Sequence, residues 1–173
     1  MFERDIISQL AAWKTDTNRK PLVVHGARQV GKTWTLKYFG REYFDDVAYF
    51  SLDKDESGLC DVFRTTKDPQ RIIQHLSFLH GKKIEPQTTL LILDEIQECN
   101  EALNALKYFC EEAPEYAVAC AGSLLGIYLN HVGKSFPVGK VNHLYMYPLT
   151  FTEFLRTKDP VMHEYMHSID KVE

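Results

Sequence analysis

A chain of 173 residues, 45% hydrophobic and 25% charged, has the make-up of one ordinary globular domain and excludes a disordered polymer. Its formal charge, 20 − 24 = −4, gives no general attraction to nucleic acid or to an anionic membrane surface. Arg19-Lys20 and Lys82-Lys83, the only basic clusters, read as solvated surface charge. The opening Met-Phe-Glu-Arg-Asp has no apolar signal-peptide core behind it. The longest uncharged stretch, from Tyr116 up to Lys134, is interrupted by Gly122, Ser123, Gly126, Asn130 and His131. A cytoplasmic protein without a membrane span is expected. Cys60, Cys99, Cys110 and Cys120 form no C-x-x-C pair and are expected to be reduced, mostly buried thiols.

In chain order, Phe2, Ile6, Leu10 and Trp13 fall at helical spacing and predict an amphipathic helix, ended by the polar stretch 15–20. Pro21 to His25 is a short apolar run meeting Gly26, as in a buried parallel strand. A second helix is expected from Gly31 to about Phe39, with Gly40 as its stop. Val47 to Leu52 is strand-like, and Asp68-Pro69 followed by Ile72, Ile73, Leu76, Leu79 and Gly81 predicts a capped helix. Thr88 to Asp94 is the strongest strand. Asn100 is expected to cap a helix carrying Leu103, Leu106, Phe109 and Cys110. Tyr116 to Ala121 and His143 to Tyr147 are the remaining strands, Thr150 to Glu153 fits a capping box, and Asp159-Pro160 opens a last helix. Strands alternating with helices predict an α/β protein, a three-layer α/β/α sandwich on a five-stranded parallel sheet with right-handed crossovers.

The segment Gly26-Ala27-Arg28-Gln29-Val30-Gly31-Lys32-Thr33 matches G-x-x-x-x-G-K-[ST], with a strand before it and a helix after it. Backbone N–H groups can converge on a polyphosphate only where side chains do not block them, which Gly26 and Gly31 provide. Lys32 can reach the β and γ phosphates, Thr33 can ligate magnesium, and Trp34 opens the first turn of the helix behind them. Asp94 and Glu95 end the apolar strand Leu90 to Leu93, a Walker B pattern. Strand C-termini face the ligand crevice in such sheets, so Asp94 is expected near the magnesium shell and Glu95 near an attacking water. The run between the two motifs holds an additional strand, as in the ATPase branch of P-loop proteins. A guanine-nucleotide switch is disfavoured: Gln97 occupies the glycine position of D-x-x-G, and N-K-x-D is absent.

GARQVGKT, LLILDEIQE, ACAGSLLG and SFPVGKVNHLYMYPLTFTEFL together resemble the ATP-binding domain of the AAA-type family of bacterial and archaeal P-loop ATPases, related to the AAA+ and signal-transduction NTPase group, over roughly Arg4 to Leu155. The resemblance implies an ATP-binding domain over 1–155, including the N-terminal helix, and a helical extension over 156–173 that begins a lid or a further domain. It places Ser123 at a polar sensor position after the fourth strand. Family members carry Gly-Arg where this chain has Gly139-Lys140, and lysine cannot reproduce the planar fork of an arginine finger.

The expected function is magnesium-dependent binding and hydrolysis of ATP coupled to conformational change, with Lys32, Glu95 and Ser123 as catalytic residues, Gly26 to Trp34 around the nucleotide, and Thr33 and Asp94 at the metal. ATP, ADP and Mg2+ are the expected ligands; the protein partner, a further C-terminal domain or a neighbouring subunit, is not identified by the sequence. A regulatory module that binds nucleotide without turnover is the alternative, and a phosphotransferase would need an arginine-rich lid that is not evident. Two other motifs are set aside. His163-Glu164-Tyr165-Met166-His167 spells H-E-x-x-H but lacks a third histidine, only Glu173 being available. Asp53 to Gly58 imitates a calcium loop but has Arg64 where a bidentate glutamate is required.

Overall fold

The computed structural model describes residues 4–53, 58–122 and 139–169. Every residue of Leu22–His25 (β1), Thr89–Asp94 (β3) and Ala117–Gly122 (β4) is buried, the pattern of strands covered by helices on both faces. Asp46–Ser51 (β2) and Asn142–Tyr145 (β5) are only partly covered and form the two edges of an all-parallel sheet ordered β2-β3-β4-β1-β5. Because β4 lies between β1 and β3, the sheet has the order of the ATPase branch.

Side chains alternate between two cores. Leu90 and Ile92 of β3 pack with Leu10 and Trp13 of α1 (Ile6–Thr15) and with Leu36 and Phe39 of α2 (Lys32–Tyr43). Leu91 and Leu93 face the opposite way. They meet α3 (Leu59–Thr65), α4 (Pro69–His80) and α5 (Asn100–Glu112) through Phe63, Ile72, Leu76, Leu106 and Phe109. The period-2 exit of side chains from a strand thus makes the three layers. After β5, α6 (Phe151–Lys158) and α7 (Pro160–Ile169) pack on one another. Among the described residues no helix is long and apolar enough to cross a membrane.

Local caps follow the sequence closely. The Asp68 side chain accepts from Gln70 N–H with Pro69 in the first turn, and Gly81, at φ 77°, ends α4. Thr150 and Glu153 form the reciprocal capping box of α6.

Three expectations need correction, and one helix was not expected. Helix α2 does not stop at Gly40 but runs on to Tyr43, because Gly40 is a packing residue. A Cβ there would lie 2.6 Å from Val47 Cγ2 and 3.2 Å from Leu90 Cδ2, so its absence lets the helix sit down on the sheet. Asn100 does not cap α5; Cys99 holds the cap position without a side-chain bond, and Asn100 is already helical. Helix α3 is an element the periodicity did not announce, being only two turns long. Finally, Cys60 and Cys99 are joined in a disulfide rather than being separate thiols, whereas Cys110 and Cys120 are free. Nothing in a separation of 39 residues announces that pair; α3 and the start of α5 meet only because both cover the same face of the sheet.

Candidate functional site

The parallel register brings Ser51, Asp94, Gly122, His25 and Tyr145 to the same C-terminal end of the sheet, so the turns following β1 and β3 emerge at one end, with β4 between them. Gly26 leaves β1 where a Cβ would stand 2.3 Å from Met146 O, and Gly31 enters α2 at φ 97°; both positions exclude a side chain for a physical reason. Between them Gln29 also sits in the left-handed region, at φ 65°, a strained choice for a residue with a Cβ. The first turn of α2 then presents N–H groups that have no partner within the helix.

Lys32 is buried at 7% exposure, and its ammonium donates to Gly26 O at 2.9 Å and Ala27 O at 2.8 Å. Burial lowers its pKa, against the opposing pull of the Glu95 and Asp94 carboxylates. Thr33 Oγ1 donates to Asp94 Oδ2 at 2.8 Å, joining the two motifs. The same oxygen accepts from the Tyr49 hydroxyl at 3.0 Å, while Asp94 Oδ1 accepts from Glu95 N–H. Tyr49 is pushed up to about 12 by burial and then by the Asp94 charge, so it remains a protonated donor at neutral pH. Glu95 lies in the left-handed region at φ 50°, and Gln97, buried in the following 3-10 turn (Ile96–Glu98), donates its amide N–H to Glu95 Oε2.

The structure therefore brings Lys32, Thr33, Asp94 and Glu95 together. Of the other loop residues, Ala27, Arg28 and Gln29 lie exposed on the turn. Val30 offers its carbonyl to Arg4. Trp34 is 46% exposed and stacks flat on Tyr38, with ring centroids 5.4 Å apart. Ser123 lies outside the described residues, one position past the end of β4. Lys140 is on the surface, bonded to Glu111 of α5 at 3.0 Å. Tyr49 and Arg4 join the neighbourhood without a sequence signal, and Gln97, read from the sequence only as a departure from D-x-x-G, joins it as well. Tyr49 belongs to another strand and Arg4 to the chain ahead of α1, so no local spacing signals either.

The hydroxyl of Thr33 and the carboxylate of Asp94 are hard oxygen donors side by side, a set that suits magnesium, which takes one or two protein oxygens and keeps its water and phosphate ligands. Elsewhere, His163 and His167 bring their ring centroids to 5.1 Å, and Glu173 lies outside the described residues, as do positions 54–57 of the calcium-like loop. Among the described residues, one group of three ligand-bearing side chains clusters within 4.8 Å: Cys60, Cys99 and Glu101. With its sulfurs bonded to each other, that group has no thiolate to give.

No match is found among curated protein sequences. Two solved structures are similar to this chain at 13% identity. The Aeropyrum pernix ORC1 protein, solved in complex with DNA, superposes with a TM-score of 0.51 over 94% of this chain and 47% of its own length. C. elegans PCH-2 gives 0.46 over 82% and 41%. The chain spans less than half the length of either. Residues 18–155, from ahead of β1 into α6, match the AAA domain family, and the chain therefore belongs to that family of P-loop ATPase domains.

Proposed function

We propose that this domain binds ATP with magnesium at Gly26 to Thr33 and hydrolyses it, using the cycle to drive a conformational change. The observation that carries the reading is the Thr33–Asp94 hydrogen bond, which unites a phosphate loop and an acidic strand end across two strands that are not neighbours. Lys32, now bonded to loop carbonyls, would exchange them for phosphate oxygens, a stronger charge-assisted pairing. Thr33 and Asp94 would hold the metal, whose chemistry is to neutralise charge on the β and γ phosphates. Glu95 would orient and deprotonate the attacking water, and Ser123 would contact the γ-phosphate or that water. Trp34, at the mouth of the loop, would border the nucleotide.

Gln97 favours keeping a second reading, a nucleotide-operated switch with little turnover, because its amide already engages the carboxylate that catalysis needs. The distinguishing experiment is single-turnover hydrolysis with binding measured in parallel. Glu95→Gln should retain magnesium-ATP and lose roughly 100-fold or more in rate, the scale of a lost general base. Asp94→Asn should weaken the magnesium-dependent part of binding. Hydrolysis unchanged in Glu95→Gln, with binding confirmed, removes Glu95 from the mechanism and favours the switch.

A further inference from the structure

Three stretches distant in sequence meet on the side of the phosphate loop away from Asp94, and one guanidinium joins them. Arg4, ahead of α1, donates through Nη1 to Val30 O at 3.2 Å, through Nη2 to Tyr147 O at 2.6 Å, and through Nε to Glu153 Oε1 at 3.1 Å. Glu153 takes three donors in all. Its Oε1 also accepts from Asp5 N–H and its Oε2 from Thr150 N–H, both at 2.9 Å, within the capping box that starts α6. The side chains of Arg4 and Glu153 are 12% and 5% exposed, so the pair is held largely out of water. Burial would raise the Glu153 pKa, but hydrogen bonds from Thr150, Asp5 and Arg4 outweigh it and hold the carboxylate below its ordinary range.

Val30 directly precedes Gly31, the residue at φ 97° from which α2 starts. A peptide group is rigid, so fixing the Val30 carbonyl also fixes the direction of the Gly31 N–H in the same plane. We infer that Arg4 is a positioning residue of the phosphate loop, tying the Val30–Gly31 peptide to the β5–α6 connection so that the loop's amides are preset and α6 senses their position. This rests on the reading of Gly26 to Thr33 as the nucleotide site. A lysine can carry the charge but has a single nitrogen on a flexible stem, which cannot span three acceptors in the plane of the guanidinium fork.

The test uses the whole chain as Arg4→Lys and Arg4→Gln, read in two ways. Amide exchange by mass spectrometry without nucleotide should rise at residues 29–33 and at the start of α6, with β3 and α5 unchanged. Calorimetry should then show magnesium-ATP bound about tenfold more weakly in both variants, a loss in line with charged hydrogen bonds removed from a preset loop. Exchange at 29–33 equal to the parent's overturns the inference, whether or not ATP binds. Loss of the fold in both variants, or a uniform rise in exchange, assigns Arg4 to the general scaffold and overturns it as well. A local rise in exchange beside a parent that binds no ATP supports the clamp and removes the proposed function instead.

Discussion

At the end of the sheet that carries Gly26 to Thr33, groups that prefer water are taken out of it: Lys32 is 7% exposed, Asp94 6% and Gln97 5%. Along α7 the reverse holds, with Val161 79%, Tyr165 63% and Ile169 53% exposed and no residue of the helix buried. Buried charges are tolerated where neighbouring groups bond them, as Thr33 and Tyr49 bond Asp94 and loop carbonyls bond Lys32. Apolar side chains left in water give α7 little hold on the rest of the fold. The comparison teaches that the polar groups at the Gly26 to Thr33 end are held by bonds within this chain, whereas α7 takes little stabilisation from it.

The sharpest way to break that comparison is Lys32→Ala. Among the described residues Lys32 hydrogen-bonds only carbonyls of its own loop, so the variant should keep its fold while magnesium-ATP binding weakens roughly 100-fold or more, the scale of lost charge-assisted hydrogen bonds. Calorimetry beside circular dichroism checks this; parent-like affinity in a folded variant would mean the phosphate site is elsewhere.

Next in size is the Cys60–Cys99 bond, buried in the core behind the turn that follows Glu95. Reduction, or the double alanine variant, should lower stability by about 2–4 kcal/mol, or roughly 10 °C in melting temperature, as expected for opening a loop of this length. An unchanged melting curve would show that the Gly26 to Thr33 end does not depend on the crosslink.

A smaller effect should appear with pH. His25, stacked between His143 and Tyr145 at the end of β1, is pushed down to about 4 by burial and then by His143. An imidazole with a depressed folded pKa takes up its proton more readily unfolded, so its contribution is present above about 6.5 and is lost as pH falls toward 4. Urea titrations of the parent and of His25→Gln across that window should differ in slope, the variant being the flatter.

The smallest effect belongs to α7. Val161→Ser and Ile169→Ser should change stability by no more than about 0.5 kcal/mol, the usual range at exposed positions. Added zinc or a chelator should leave the melting temperature of nucleotide-free protein where it was. A large loss from either serine variant would show that α7 is held by the fold after all.

Much of this protein was legible one segment at a time. The three-layer architecture followed from apolar runs alternating with helical periodicity, and the turn Gly26 to Thr33 and the acidic strand end Asp94-Glu95 could be read as candidates because each pattern lies within a few residues along the chain. Caps at Asp68 and Thr150 were readable for the same reason: their partners lie two or three positions away. Gly40 was misleading because a glycine that stops a helix and one that lets a helix approach a sheet look alike until Val47 and Leu90 are placed beside it.

What tertiary structure alone decided are the contacts between residues far apart in sequence. The pairing of Cys60 with Cys99, the Tyr49 hydroxyl on Asp94 and the three-way hold of Arg4 on Val30, Tyr147 and Glu153 all depend on which strands become neighbours and which faces the helices cover. Periodicity along one segment specifies which face is buried, but not what will meet it; that choice is made when the separate apolar faces come together in one core.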